Sequence, residues 1–159
     1  MDVFTVSFFG HRRIDNMSAI EEKLDEILCD IIENNNFVEF LVGREGDFDI
    51  IVASVIRRVT KRLDRKNSVM TLVLPYMKSD YQKNSEHYLN YYDEVEICTE
   101  SANVHYKAAI QHRNKSIIDR SDLAVFYVER DGGAYKTMKY AEKSNCRILR
   151  LNKSVSNIE

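Results

Sequence analysis

The sequence predicts an α/β fold, namely a Rossmann-like, doubly wound, mainly parallel sheet of about six strands with helices on both faces. Two observations lead to this prediction. Apolar segments of strand length alternate along the chain with segments of helical periodicity, and the apolar segments are continuous runs. Continuous apolar runs are typical of parallel strands buried on both faces, and the intervening helices supply the crossover connections that such strands need.

Six segments rich in β-branched and aromatic residues predict the strands: Val3–Phe9, Phe37–Val42, Val69–Leu74, Val95–Cys98, Leu123–Val128 and Arg147–Leu151. Four segments between them have helical spacing: Ser18 to the asparagines at 34–36, Asp47 or Asp49 to Leu63, Ser101–Arg120 and Thr137–Ser144. Ser18 and Glu21 form a capping-box pattern at the start of the first helix. The Tyr-rich segment 77–93 predicts one short helix, and its tyrosines either pack against the protein or form an aromatic platform over a base.

Length and composition indicate one domain. The chain has 159 residues, of which 44% are hydrophobic and 30% charged, which is enough for one proper core and short for two. We expect a single Rossmann-like domain over residues 1–152 and a loose tail over residues 153–159. The net charge of −2 gives no general reason to expect nucleic acid or an anionic membrane as partner.

The sequence also favours a cytoplasmic location. No apolar run approaches the roughly 18 residues that cross a bilayer, and the first residues, MDVFTVSFFG, lack the features of a signal peptide. Cys29, Cys98 and Cys146 are widely spaced and fit reduced structural thiols. Because no Cys or His spacing suggests a metal site, we expect no metal and no required cofactor.

Three glycine-containing turns fall at the carboxyl ends of predicted strands. They contain Gly10, then Gly43 and Gly46, and then the pair Gly132-Gly133. In doubly wound sheets ligands bind beyond this edge, where the strand order reverses. A glycine pair between a strand and a helix leaves backbone N–H groups and a positive helix end free for a phosphate.

Side chains beside these turns complete the candidate site. His11 and Arg12 follow the first turn, and Arg113-Asn114 lies late on the third long helix. Asp49 either contacts a ligand or caps its helix, and Asp122 either binds a ligand hydroxyl or satisfies local backbone donors. The predicted ligand- and phosphate-binding residues are Gly10, His11, Arg12, Gly43, Gly46, Asp49, Arg113, Asn114, Asp122, Gly132, Gly133 and Ala134.

The second long helix also carries a basic face, formed by Arg57, Arg58, Lys61, Arg62, Arg65 and Lys66. This face is either a solvated helix surface or a site for anions or nucleic acid. The solvated surface is favoured, because Lys and Arg are common on helix surfaces and near helix C-termini. No catalytic residue is assigned, since the motifs GxGxxG, GxxxxGK[ST], HExxH and GxSxG are all missing from the sequence.

Three segments resemble the SLOG superfamily, named after the DNA-processing Smf/DprA proteins and the LOG cytokinin-releasing phosphoribohydrolases. They are FFGHRR (Phe8–Arg13), LVGREGDFDIIVA (Leu41–Ala53) and the long block His112–Leu151, with its Arg-Asn, Ser-Asp and Gly-Gly-Ala elements. The resemblance spans nearly the whole chain and is closer to the small, stand-alone YpsA-like branch. It implies a Rossmann-like fold that binds a nucleotide or nucleotide-derived ligand at these turns.

The chain differs from both groups of proteins after which the superfamily is named, the LOG hydrolases and the DprA proteins. The LOG hydrolases place a catalytic glutamate in the helical turn after the glycine pair. In this chain no carboxylate lies between Gly132-Gly133 and Glu142. The DprA proteins have additional domains and bind single-stranded DNA, whereas this chain has neither extra length nor a basic net charge.

We therefore expect a sensor or regulatory module that binds a small ligand of the ADP-ribose, NAD or nucleoside phosphate type, with no nucleic acid and no membrane as partner. The alternative is an enzyme, a nucleotide N-glycosidase, phosphoribohydrolase or deoxyribosyltransferase, whose glutamate would be Glu45, Glu86 or Glu129. The sequence leaves open whether the chain forms a homo-oligomer.

Overall fold

The computed structural model describes residues 2–99, 101 and 104–152. The predicted tail at 153–159 lies outside the described residues. Within them the elements follow in the order β1 (Val3–Gly10), α1 (Met17–Glu33), β2 (Phe37–Val42), α2 (Asp47–Leu63), β3 (Ser68–Leu74), α3 (Ser79–Lys83), α4 (Ser85–Tyr91), β4 (Glu94–Ile97), α5 (Tyr106–Asp119), β5 (Leu123–Tyr127), α6 (Gly133–Glu142) and β6 (Arg147–Arg150).

The described strands form one six-stranded sheet in the order β4-β3-β2-β1-β5-β6, and every neighbouring pair is parallel. The chain winds outward from β1 to β4 on one side and then returns to add β5 and β6 on the other. The strand order therefore reverses between β1 and β5, where Gly10 pairs with Tyr127 at the carboxyl ends of both strands. This confirms the predicted α/β, Rossmann-like fold.

Neighbouring residues of the central strands point to opposite faces of the sheet and fill two cores. On β2, Phe40 belongs to the core beneath α1, α2 and α4, while the next residue, Leu41, belongs to the core beneath α5 and α6. Both side chains are almost fully buried. Because each central strand needs apolar side chains on both faces, its sequence is a continuous apolar run.

Local structure differs from the prediction at three places. The helix predicted over Ser101–Arg120 begins only at Tyr106. Helix α1 begins at Met17 after Asn16, and no side chain caps it, so the predicted capping box at Ser18 is wrong. The Tyr-rich segment forms two short helices, α3 and α4, which meet at Asn84. Tyr88 and Tyr92 of this segment are buried and pack in the core, which favours a packing role over an aromatic platform.

None of the helices that the structure describes is long and apolar enough to cross a membrane.

Candidate functional site

A cleft of about 450 Å³ opens at the carboxyl edge of the sheet, next to the reversal point between β1 and β5. All residues of the predicted set except Asp122 line it: Gly10, His11, Arg12, Gly43, Gly46, Asp49, Arg113, Asn114, Gly132, Gly133 and Ala134. Parallel strands bring their carboxyl ends to one edge, so turns that are distant in sequence meet there. That these residues contact a ligand stays a prediction.

Asp122 lies at the amino end of β5, away from the cleft. Its carboxylate accepts a hydrogen bond from the Thr5 N–H at 2.8 Å, and its own N–H donates to the Thr5 carbonyl at 2.8 Å. Asp122 therefore joins the starts of β5 and β1. The expectation that it frames the cleft is corrected, and the alternative role in satisfying backbone donors is the one observed.

Two of the predicted glycines allow close packing between β1 and α2. A Cβ atom on Gly10 would lie 2.3 Å from the Phe48 ring, and one on Gly46 would lie 2.4 Å from the Cα of Arg12. Real Cβ atoms do not approach other atoms so closely, and Phe48 is fully buried. The fold itself requires these two glycines, whatever the cleft contains.

The N-terminus of α2 is closed by the protein. The N–H groups of Asp47 and Phe48 donate to the carbonyls of Arg12 and His11 at 2.9 and 3.4 Å. The Asp47 carboxylate accepts the N–H of Ile14 at 3.0 Å. Asp47 and Asp49 also place negative charge in the first turn of α2, so this helix end is not a favourable place for an anion.

The N-terminus of α6 is open. The first N–H of this helix to find a protein acceptor is that of Lys136, which donates to the Gly132 carbonyl at 3.0 Å. The N–H groups of Gly133, Ala134 and Tyr135 have no acceptor in the part of the chain that the structure describes. The first turn contains no acidic residue, and no side chain caps it. Gly132 has a φ of +148°, which only glycine adopts readily, and this conformation turns the chain into the helix.

Three exposed arginines line the same cleft as this helix end. Arg12, Arg13 and Arg130 all line the cleft, and Arg130 Nη2 donates to the Arg13 carbonyl at 3.1 Å. None of the three forms an ion pair with a carboxylate among the described residues. Arg12 belongs to the predicted ligand-binding residues, whereas Arg13 and Arg130 do not, although both lie in turns that were predicted to form the cleft.

His11 is a structural residue of the same wall. It is buried, and its Nε2 accepts the N–H of Glu129 at 2.8 Å, while its ring packs edge-on against Tyr127. Burial and the charge of Arg130 hold the pKa of His11 below its usual value. The neutral imidazole therefore fixes the loop that leads from β5 to α6.

The opposite wall carries a paired carboxylate. Glu45 Oε1 lies 2.6 Å from Arg113 Nη2, and Glu45 Oε2 lies 3.4 Å from Lys78 Nζ. The Glu45 side chain is only 11% exposed. Burial acts to raise the pKa of Glu45, but the charges and hydrogen bonds of Arg113 and Lys78 outweigh it, so the pKa lies below its usual value.

Asp49 lies beside this pair, where its carboxylate accepts the N–H of Glu45 at 2.8 Å. Burial, reinforced by the negative charge of Glu45, raises the pKa of Asp49 from 3.8 to about 6. At neutral pH the two carboxylates and the two cations Arg113 and Lys78 leave this wall close to neutral. The net positive charge of the cleft therefore lies on the arginine wall around α6.

Arg113 and Asn114 support the cleft from within. Both are buried, and Arg113 donates to the Val73 carbonyl at 3.0 Å and to Asn114 Oδ1 at 3.0 and 3.1 Å. Asn114 Nδ2 donates to Thr137 Oγ1 at 3.1 Å, and that hydroxyl donates to the Gly133 carbonyl at 3.0 Å. These bonds connect β3, α5 and the first turn of α6.

The glutamates considered for catalysis do not form a catalytic set. Glu45 is paired with Arg113, and Glu129 accepts a hydrogen bond from the Tyr127 hydroxyl at 2.6 Å. Glu86 does not line the cleft, and Glu142 lies at the far end of α6. In the described ranges, no three His, Cys, Asp or Glu side chains are arranged to hold a metal ion.

No protein-family model and no curated protein matches this sequence. The solved structures that are similar to it include two that match along 98% of its length. One is DNA processing protein A from Helicobacter pylori, described as having a unique single-stranded DNA binding mode, with a TM-score of 0.65, 14% identity and 68% of that chain covered. The other is DNA processing protein A (DprA) from Streptococcus pneumoniae, with a TM-score of 0.66, 10% identity and 52% of that chain covered.

At these identities the likeness shows the fold alone, an α/β, Rossmann-like fold that this chain shares with the two DprA proteins. The chain spans about half the length of the streptococcal protein. The comparison contradicts two expectations from the sequence, namely a small nucleotide-derived ligand and the exclusion of nucleic acid as partner, because a similar structure belongs to a protein described as binding single-stranded DNA. Net charge alone misled the prediction, since it says nothing of where the charges lie.

Proposed function

We propose that this chain binds single-stranded nucleic acid and holds one backbone phosphate at the N-terminus of α6. The observation that carries the proposal is the open helix end. Three consecutive N–H groups, those of Gly133, Ala134 and Tyr135, face no acceptor among the described residues, and no acidic side chain occupies the first turn. Such a helix end attracts anions through its N–H groups and its positive dipole.

The charges around the helix end support a polyanion as ligand. Arg12, Arg13 and Arg130 are exposed on the rim, so they can contact successive phosphates of a strand that passes over the cleft. The class of ligand is further supported by the fold shared with a protein described as binding single-stranded DNA. We also propose that the chain belongs to the YpsA-like branch, supported by the FFGHRR turn and the His112–Leu151 block.

The test is the affinity for fluorescein-labelled oligothymidylate, measured by anisotropy as a function of salt. Gly133→Pro removes one N–H from the site and is compatible with the first helical position, because proline is tolerated there. Gly133→Ala is the matched control. It keeps the N–H, and its Cβ meets only the Gln111 amide at 3.1 Å.

We expect Gly133→Pro to weaken binding about tenfold, since a hydrogen bond to a charged group contributes roughly 1.5 kcal/mol or more. Gly133→Ala should bind like the wild type. Replacing Arg12, Arg13 and Arg130 by Gln should reduce the slope of log K against log salt by about 2, at roughly 0.7 per phosphate contact on a single strand. The proposal is refuted if the wild type does not bind at 50 mM salt, or if Gly133→Pro and Gly133→Ala bind equally well.

A further inference from the structure

A second concave surface lies at the other end of α2. It has a volume of about 500 Å³ and is lined by the basic residues Arg57, Lys61, Arg65 and Lys66 together with Tyr91. We call these five residues the basic groove. Helix α2 begins at the cleft and ends at the groove, and its 17 residues give it a length of about 25 Å.

Most charges of the basic groove are not neutralised by the protein. On the same helix face, Arg58 and Arg62 pair with Glu21 and Asp25 of α1, with their closest contact at 2.7 Å. By contrast, Lys61, Arg65 and Lys66 are exposed and form no ion pair with any described carboxylate. Asp93 is the one acidic residue that lines this surface, and its carboxylate accepts the Met70 N–H at 2.7 Å. The groove is therefore a concentrated positive site on a chain whose net charge is −2.

The backbone after α2 turns so that two of these cations flank the groove. Asp64 and Lys66 have φ values of +49° and +56°, in the left-handed region. A residue other than glycine in this region costs about 1–2 kcal/mol. The strained turn brings Arg65 and Lys66 beside the C-terminus of α2.

An aromatic ring stands among the cations. The Arg57 guanidinium lies 4.4 Å from the centre of the Tyr91 ring and donates to the Tyr91 carbonyl at 2.8 Å. Tyr91 is only partly buried. A groove of exposed cations with an aromatic side chain is the arrangement by which proteins follow a single strand, since the cations contact phosphates and the ring contacts a base.

The surface between the cleft and the basic groove is concave as well. A hollow of about 620 Å³ between α2 and α4 is lined by Arg44, Ile50, Asp80 and His87, and it shares Tyr91 with the basic groove. The Asp80 carboxylate accepts a hydrogen bond from the Tyr88 hydroxyl at 2.5 Å. Because Arg44 directly follows Gly43 of the cleft, a strand that leaves the cleft beside Arg44 meets a concave surface that adjoins the basic groove at Tyr91.

We propose that the basic groove is a second contact for the strand whose phosphate lies at the start of α6. This inference rests on the proposed function and adds to it a defined length of ligand and a direction along α2. With a rise of about 3.4 Å per stacked nucleotide, a span of about 25 Å corresponds to seven or more nucleotides. A trinucleotide fills only the cleft, whereas a 15-mer reaches both sites.

The experiment measures the binding of labelled dT3 and dT15 to the full chain by anisotropy at several salt concentrations. The groove variant carries Lys61→Gln, Arg65→Gln and Lys66→Gln. The control variant carries Lys115→Gln, Lys139→Gln and Lys143→Gln, which removes the same number of exposed cations from α5, α6 and the residue after α6, all on the opposite face of the sheet. Thermal unfolding of each variant checks that the fold is retained.

We expect the groove variant to bind dT15 at least tenfold more weakly than the wild type, with a salt slope smaller by about 2, and to bind dT3 unchanged. The control variant should bind both like the wild type. Photocrosslinking of a 15-mer containing 4-thiothymidine should label peptides from residues 57–66 and Tyr91.

The outcomes separate this inference from the proposed function. Wild-type binding with unchanged dT15 affinity in the groove variant, or equal losses in the groove and control variants, overturns the second contact and leaves the cleft site standing. Crosslinks confined to the cleft turns overturn it as well. If the wild type binds neither dT3 nor dT15, both the proposed function and the second contact are overturned.

Discussion

Replacing Asp49 by Asn should make the protein more stable at neutral and alkaline pH. The Asp49 carboxylate is buried beside that of Glu45, and this environment raises its pKa from 3.8 to about 6. The substitution removes the charge, while the amide oxygen can still accept the N–H of Glu45, which lies 2.8 Å from the carboxylate. The shape of the side chain is preserved, so packing changes little.

The magnitude follows from the two pKa values. The folded protein keeps the Asp49 proton up to a pH of about 6, whereas the unfolded chain loses it near 3.8, so the free energy of unfolding falls as the pH rises through this window. A shift of about two units corresponds to about 3 kcal/mol at pH 8, and to about 1 kcal/mol at pH 4.5, where much of the folded state is still protonated. Asp49→Asn should recover these amounts.

Urea unfolding at pH 8 and pH 4.5 provides the measurement, and Asp47→Asn is the control. Asp47 begins the same helix and accepts the Ile14 N–H at 3.0 Å, so its replacement should reduce stability by about 0.3–1 kcal/mol through the helix dipole. No gain for Asp49→Asn at pH 8, or an equal gain at both pH values, would show that ionisation of the buried Asp49 carboxyl group does not destabilise the fold.

Three further predictions concern the cleft. Gly132→Ala should reduce the free energy of unfolding by about 1–3 kcal/mol because its φ of +148° strains any other residue, whereas Gly133→Ala should change it by less than about 1 kcal/mol, as chemical denaturation can show. His11→Gln should remove a loss of stability that the wild type shows as the pH falls below about 6.5, with a slope of at most about 1.4 kcal/mol per pH unit in pH-dependent urea melts, because the pKa of His11 lies below its usual value. Arg113→Met should destabilise the protein by about 3 kcal/mol because it removes the nearer cation from the buried Glu45 carboxylate and leaves only Lys78, at 3.4 Å, and adding Glu45→Gln should restore a large part of that loss in a double-mutant cycle.

The contrast between the two helix ends narrows the part of the cleft that can hold an anion. Both α2 and α6 begin at glycines beside the same cavity, and sequence patterns treat them alike. In the structure the carbonyls of His11 and Arg12 occupy the first N–H groups of α2, while those of α6 have no described acceptor. A ligand phosphate would therefore have to displace backbone carbonyls from the N–H groups of α2, whereas at α6 it would displace no described protein acceptor.

Some differences between prediction and structure have local causes. Asp122 immediately precedes β5, and the amino ends of parallel strands lie at the edge opposite the cleft, so its place in the sequence agrees with the backbone role that the structure shows. The Ser18 pattern fits a capping box, but α1 begins at Met17, ahead of this serine. For the tyrosines of segment 77–93 the sequence leaves packing and an aromatic platform open, and the burial of Tyr88 and Tyr92 favours packing.

The amino-acid sequence was enough to predict the sheet, its parallel strands and the edge at which the glycine turns meet, because burial on both faces leaves continuous apolar runs along the chain. The role of the glycines in packing became visible only in three dimensions, since a side chain on Gly10 would collide with Phe48 and one on Gly46 with Arg12. The tertiary structure also decided where positive charge stays uncompensated. Carboxylates of α1 neutralise Arg58 and Arg62, and no described carboxylate pairs with Lys61, Arg65 or Lys66. Charge pairing depends on distance in space, and a net charge of −2 does not record it.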